Sequence, residues 1–231
     1  MSGLTDSMPK AMGIALFDLD HTLLGGDATY EWIQFLIRLG VLDRAIYEAE
    51  LERFYDEYRA GTLDIRAFLH FDFRPLSSHP RAKLEQWREQ YLGEVVAPMI
   101  LPKALDLIAW HEARGDLTAI VTAANSFVCG PIARMFGVQH LLASEPECID
   151  GEFTGNIDGI PCFHEGKVTR LEAWLTSRGQ ALADFPESYF YGDSTSDVPL
   201  MEKVTHPVAV HPGEALAELA RARNWPIISL R

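Results

Sequence analysis

Apolar positions along this chain follow two rhythms, short runs and helical stripes, and their alternation sets the plan. Ile14, Ala15, Leu16 and Phe17 form a short apolar run, the pattern of a strand buried on both faces of a parallel sheet. Further strands are predicted over Leu117–Val121, Gly137–Ser144, Ser188–Tyr191, His206–Val210 and Trp225–Ile228. Helical spacing falls between them, over Pro102–Arg114, in the stretch opened by Lys167 with Leu171, Trp174 and Leu175 on one face, and over Gly213–Arg223. Strands alternating with helices predict an α/β fold, a doubly wound parallel sheet. The Gly/Asp punctuation of Ile149–Gly159 predicts a small hairpin.

One long stretch breaks the alternation. Trp32, Phe35, Leu36 and Leu39 mark an amphipathic face ended by Gly40, and Ile46, Leu51, Phe54, Tyr55 and Tyr58 mark a second that stops near Gly61. A third helix is predicted over Thr62–Phe71, with Pro75 and Pro80 breaking the chain after it. Leu84, Trp87, Tyr91, Val95 and Val96 mark a fourth. This is too long for a loop and reads as an all-helical cap domain over 27–99, inserted into a core made of 12–26 and 100–231. Its aromatic stripe reads as the cap's own core rather than a ligand cage. Residues 1–11 read as a frayed tail.

Composition narrows the partners. The 231 residues are 48% hydrophobic, enough for one sizeable core and a small accessory domain. The net charge of −13 argues against nucleic acid or an anionic membrane. An anionic substrate would then need a bound cation and at least one Lys or Arg at the site. Cys129, Cys148 and Cys162 fit no metal-ligand pattern and cannot all pair, which points to reduced thiols and a cytoplasmic protein. The first dozen residues lack a signal peptide's apolar core, and no apolar run reaches the ~18 residues of a membrane span.

The candidate chemistry begins where the first strand ends. Asp18 and Asp20 follow Phe17, where ligands of open α/β sheets bind. Two carboxylates this close each favour a proton or a hard cation such as Mg²⁺. Solvated aspartates capping the next helix are the alternative for the pair alone. The wider stretch Asp18-Leu19-Asp20-His21-Thr22-Leu23 after an apolar strand resembles the first motif of the haloacid dehalogenase (HAD) superfamily of phosphatases, whose core is Rossmann-like.

The resemblance continues in order. Thr122-Ala123-Ala124-Asn125-Ser126, a strand end running into a helix, resembles the second motif; as residues they equally suit an ordinary helix N-cap by Asn125 or Ser126. Lys167 falls where the third places its lysine, and Gly192-Asp193-Ser194-Thr195-Ser196-Asp197 resembles the fourth, Gly-Asp-x-x-x-Asp. The resemblance implies that Asp18 is a nucleophile forming an aspartyl-phosphate and that Asp20 is the acid and then the base. It implies Thr122, Ala123 and Asn125 at the phosphoryl group, with Lys167 offsetting its charge. It also implies Mg²⁺ on Asp18, Asp193 and the backbone carbonyl of Asp20, with Asp197 supporting the metal and Lys167 from behind.

A helical cap between the first and second motifs resembles the branch that includes phosphoserine phosphatase (subfamily IB). Glu152-Phe153-Thr154-Gly155 and Gly166-Lys167-Val168 look similar to that branch too, specifically to its bacterial enzymes for histidinol phosphate. Asp27 falls where phosphoserine phosphatases carry a Glu for the substrate's amino group, and it also suits the N-cap of the first cap helix. Where those enzymes hold the substrate carboxylate with a cap arginine, this chain has Asp72, with Arg66 and Arg74 nearby. The implied activity is a Mg²⁺-dependent phosphatase for a small phosphorylated metabolite, with phosphoserine disfavoured. A phosphotransferase or mutase on the same site, or a silent phosphometabolite-binding regulator, are the alternatives. An intact Asp20 disfavours true dehalogenation. Trp32, Arg66 and Asp27 are candidates for specificity, and His211, after a strand end, for a place near the site; no pattern sets the oligomeric state.

Overall fold

The structure, a computed structural model, describes residues 12–231, so the expectation for residues 1–11 lies outside the described residues. Seven strands form one sheet: β1 (Ile14–Phe17), β2 (Leu117–Asn125), β3 (His140–Ile149), β4 (Glu152–Asp158), β5 (Ser188–Gly192), β6 (His206–Val210) and β7 (Ile227–Ile228). Their order is β4-β3-β2-β1-β5-β6-β7, parallel throughout except for β4 at the edge. This is the doubly wound, Rossmann-like sheet expected from the alternation. The hairpin turn that reverses β4 is Asp150-Gly151, both at positive φ (53° and 88°), as a two-residue hairpin of right-handed twist requires.

The period of two in β1 sorts its side chains between two apolar layers. Ala15 and Phe17 face one, and Ile14 and Leu16 the other. On the first face lie α6 (Pro102–Ala113) and α7 (Ser126–Met135); on the second lie α8 (Glu165–Ser177), α9 (Val198–Met201) and α10 (Glu214–Ala222).

Between β1 and β2 the chain makes α1 (Ala28–Arg38), α2 (Arg44–Arg59), α3 (Ile65–Ser77) and α4 (Arg81–Tyr91), then a π-helical segment (Leu92–Val96) and α5 (Ala97–Met99). Asp27, Asp43 and Asp64 cap the first three, each accepting from a backbone N–H of the first turn. The outgoing and returning connections lie side by side, with Gly25 N donating to Met99 O at 2.7 Å and Leu101 N to Leu23 O at 3.2 Å. Part of the aromatic stripe is core, with Trp32 packed on Phe35 and Tyr91, whereas Phe54, Tyr55 and Tyr58 line a cavity. That core does not stop at the inserted helices, however, because Trp32 also meets Phe127 of α7, so one apolar layer runs through both.

Several boundaries differ from the sequence reading. Among them, β2 runs on past Val121 to Asn125, and β3 lies at His140–Ile149 rather than Gly137–Ser144. Two of the inserted helices differ as well. Helix α3 does not stop before Pro75 but runs through it to Ser77. Proline removes one helical hydrogen bond, and the buried face of Leu69, Phe73 and Leu76 outweighs that loss. At its C-terminal end the carbonyls left free by the helix stop find side chains, Arg74 O accepting from the Ser77 and Ser78 hydroxyls and Pro75 O lying 3.0 Å from His79 Nδ1. The fourth helix changes character at Leu92, where the π segment carries the chain on to Val96.

Candidate active site

The carboxyl ends of β1, β2 and β5 open into a cavity of about 830 Å³, roofed by the inserted helices. Each strand delivers one group to its floor, Asp18 from β1, Thr122 from β2 and Asp193 from the turn after β5. Lys167 arrives from the first turn of α8. Glycine precedes it because a Cβ at Gly166 would collide with the carbonyl of Pro161.

Asp18 is 6% exposed, and its Oδ1 accepts from Lys167 Nζ at 2.6 Å. The same ammonium donates to Asp197 Oδ1 at 2.5 Å. Asp197 Oδ2 in turn accepts the backbone N–H groups of Asp193 and Ser194 at 3.2 and 3.3 Å, so both its oxygens are engaged. Asp20 lies on the cavity wall, with Oδ1 accepting from Ala28 N at 2.6 Å. Carboxylate oxygens of Asp18, Asp193 and Asp197 lie within 4.8 Å of one another.

Crowding sets the protonation. Burial pushes the Asp18 carboxyl up to about 7, with Lys167 opposing and Asp197 adding to the rise. Burial, then Asp27 and Asp18, hold Asp20 well above the usual carboxylate range. Asp193 is raised by burial and by Asp18 and Asp197. Burial alone would discharge Lys167, but the two carboxylates outweigh it and raise its proton affinity. One ammonium thus stands against the carboxyl groups of Asp18, Asp193 and Asp197, an oxygen cluster whose chemistry fits a hard divalent cation such as Mg²⁺.

The predicted substrate residues separate. Thr122 and Ala123 line the cavity, and Thr122 Oγ1 accepts from Ala124 N at 3.2 Å. Here β2 is bulged, with its register against β3 shifting between Val121 and Asn125. Asn125 does not line the cavity: it is fully buried, capping α7 through Val128 N at 2.9 Å and donating to Asp72 at 2.8 Å. Its carboxamide is committed to the fold. Asp27 does line the cavity while capping α1, and its second oxygen accepts from the Tyr55 hydroxyl. Trp32 is wholly buried, and Arg66 is absent from the cavity wall. Arg74 lies beside Glu50 and over the rings of Tyr47 and Phe71. His211 sits in the turn after β6 at φ 44°, its Nε2 accepting from Leu230 N at 2.9 Å, and it too is absent from the wall.

The haloacid dehalogenase-like hydrolase profile matches residues 15–202. The chain belongs to that family. A histidinol-phosphatase of Neisseria meningitidis is 38% identical over 94% of this chain and 99% of its own. The crystal structure of a protein of unknown function from Bordetella pertussis is 46% identical, with a TM-score of 0.91 over 96% of this chain and all of the other. A phospho-aspartyl intermediate analogue of a phosphoserine phosphatase, 22% identical over 96% of this chain and 95% of its own, shares the fold at a TM-score of 0.68. The chain is a phosphatase of the haloacid dehalogenase-like hydrolase family. Among the described residues no helix is long and apolar enough to cross a membrane.

The cavity also holds residues that sequence reasoning passed over as site groups. Tyr55, Tyr58 and Phe68 wall it from α2 and α3, Phe163 from the approach to α8, and Glu214 and Glu218 from α10. Arg59 joins Lys167 as the second cation of the wall, but it is largely exposed and paired with Asp56. A helix's apolar stripe shows that one face is covered, not that the cover is a cavity, so no signal in the sequence separated these residues from core.

Proposed function

We propose that this phosphatase hydrolyses a small phosphomonoester through a phosphorylated Asp18, with Mg²⁺ as its cation. The observation that supports this best is Asp18 itself, a buried carboxylate on a cavity floor, gripped by the Lys167 ammonium, with Asp20, whose proton affinity burial raises, on the adjoining wall. An Asp18 oxygen attacks phosphorus while the ester P–O bond breaks, and Asp20 gives its proton to the leaving oxygen. Asp20 then takes a proton from the water whose oxygen attacks the phosphoryl group, and Asp18 is released with phosphate. Thr122, the Ala123 N–H and Lys167 hold the phosphoryl oxygens. Asp18, Asp193 and the Asp20 carbonyl would hold Mg²⁺, which supplies charge neutralisation at the phosphoryl group. Asp197 stands behind, since both its oxygens are engaged. In this reading 12–26 and 100–231 form the catalytic core, and the cap of 27–99 excludes water and reads the substrate.

The reading extends to a leaving group that carries positive charge. The cavity wall includes Asp27, Glu214 and Glu218 as well as the rings of Tyr55, Tyr58 and Phe163, and among the described residues its one arginine, Arg59, is exposed and paired with Asp56. With the Neisseria relative, this makes histidinol phosphate the first candidate and disfavours phosphoserine. The test is phosphate release from histidinol phosphate, phosphoserine, sugar phosphates and nucleotides, with Mg²⁺ and with EDTA. Metal-dependent release favouring histidinol phosphate is expected. Phosphoserine turned over equally well contradicts the substrate assignment, and release untouched by EDTA contradicts the metal.

A further inference from the structure

Asp72 is a wholly buried acid on α3 that the chemistry above does not use. Its Oδ2 accepts from Asn125 Nδ2 at 2.8 Å, while its Oδ1 has no partner among the described residues. Asn125 spends its own oxygen on the N-cap of α7. One carboxamide therefore joins three elements, the inserted helix α3, the bulged end of β2 and the first turn of α7.

That junction lies next to the phosphate side of the cavity. Thr122, Ala123 and Ala124 line the cavity immediately before Asn125. Across this turn β2 is out of register with β3, the paired positions being Val121 on one side and Asn125 on the other. The shape of the turn thus depends on how its two ends are pinned, and the Asn125 end is pinned by Asp72. The acid is a costly choice for a purely structural contact, because a buried polar atom without a partner destabilises and an apolar side chain would not. The titratable groups around it are acidic or neutral: Asp27 ahead of α1, Tyr55 on α2 and Cys129 on α7. None of these supplies a compensating charge.

We propose that Asp72 is a positioning residue, gripping Asn125 from the inserted helices and so holding the Thr122–Ala124 turn in the shape that receives phosphate. The inference rests on the phosphatase reading for its purpose, but its geometry can be tested separately. Three variants serve: Asp72→Ala, which deletes the grip; Asn125→Ser, which keeps an N-cap oxygen but loses the bond to Asp72; and Asp72→Asn, which keeps the acceptor. The readouts are amide hydrogen exchange over residues 122–128 and the calorimetric affinity for inorganic phosphate. Asp72→Ala and Asn125→Ser are expected to speed exchange in this turn and weaken phosphate binding about tenfold, the scale of one lost buried hydrogen bond, while Asp72→Asn restores both. Unchanged exchange in the turn of folded Asp72→Ala and Asn125→Ser overturns the proposal. A wild type that binds no phosphate would count against the phosphatase reading instead, and the exchange comparison would still decide the grip.

Discussion

Lys167 shows at the scale of one residue how the site is held together before any substrate arrives. Its ammonium bridges Asp18 and Asp197 with almost no access to water. Removing one partner of such a group leaves buried charge uncompensated, which costs about 3–5 kcal/mol. Lys167→Met should therefore lower stability by about that much in urea titrations, and added Mg²⁺ should recover part of it by replacing the lost positive charge. Equal stability with and without the lysine would contradict the ion-pair account. Asp18 and Asp20 stood out as paired carboxylates at a strand end, whereas Lys167 and Asp193 were picked out by the order of motifs that resembles the family; the cavity wall holds all four. Asn125 was legible as a motif position and as an N-cap, and the N-cap is what it forms. Its partner Asp72 lies 53 residues earlier on another element, and local pattern holds no trace of that pairing.

At the scale of elements, the strand-to-helix turns carry the precision. Gly192 ends β5, and a Cβ there would collide with the carboxylate of Asp197. Gly192→Ala should push Asp197 off the N–H groups of Asp193 and Ser194 and disturb Lys167. The expected result is a loss of about 1–3 kcal/mol of stability together with a drop in kcat of at least about tenfold. Full activity in this variant would mean that Asp197 does not position the lysine. The strands and most helices could be read from apolar period alone. The continuation of α3 through Pro75 could not, because it depends on the burial of Phe73, Pro75 and Leu76 against other elements. The hairpin was readable from its Asp-Gly turn, whereas its role as the antiparallel sheet edge packed against α3 is tertiary. His70 Nδ1 lies 3.2 Å from Gly155 O, and Arg81 N donates to Glu152 Oε2 at 2.8 Å.

At the scale of the whole molecule, the apolar layer shared between the inserted helices and the sheet makes burial at their junction consequential for pH. Burial there pushes the Asp72 carboxyl up to about 7 from its ordinary 3.8, with the Asn125 hydrogen bond opposing and Asp27 adding to the rise. The folded state then binds a proton that the unfolded chain releases near its ordinary value. Asp72 consequently subtracts nothing at low pH, and stability declines as pH rises from about 4 to about 7. Asp72→Asn removes that dependence. Its stability should match wild type near pH 4 and exceed it by up to about 4 kcal/mol at pH 8, read from urea titrations across the range. A difference that did not change with pH would show that Asp72 stays ionised when buried. Which helix faces meet the cavity was hidden from the sequence for a related reason: Tyr55, Tyr58 and Glu218 take their roles from how whole elements are seated.

The most direct test of the central claim is to catch the phosphoryl group on the protein. Wild type and Asp18→Asn would be mixed with histidinol phosphate and Mg²⁺, quenched in acid during turnover, digested and mapped by mass. The predicted result is a phosphorylated peptide spanning Asp18 in wild type, lost on chase and absent from the variant, which should retain its fold but release no phosphate. Phosphate release by wild type with no such adduct, or with the adduct on another residue, would contradict the account.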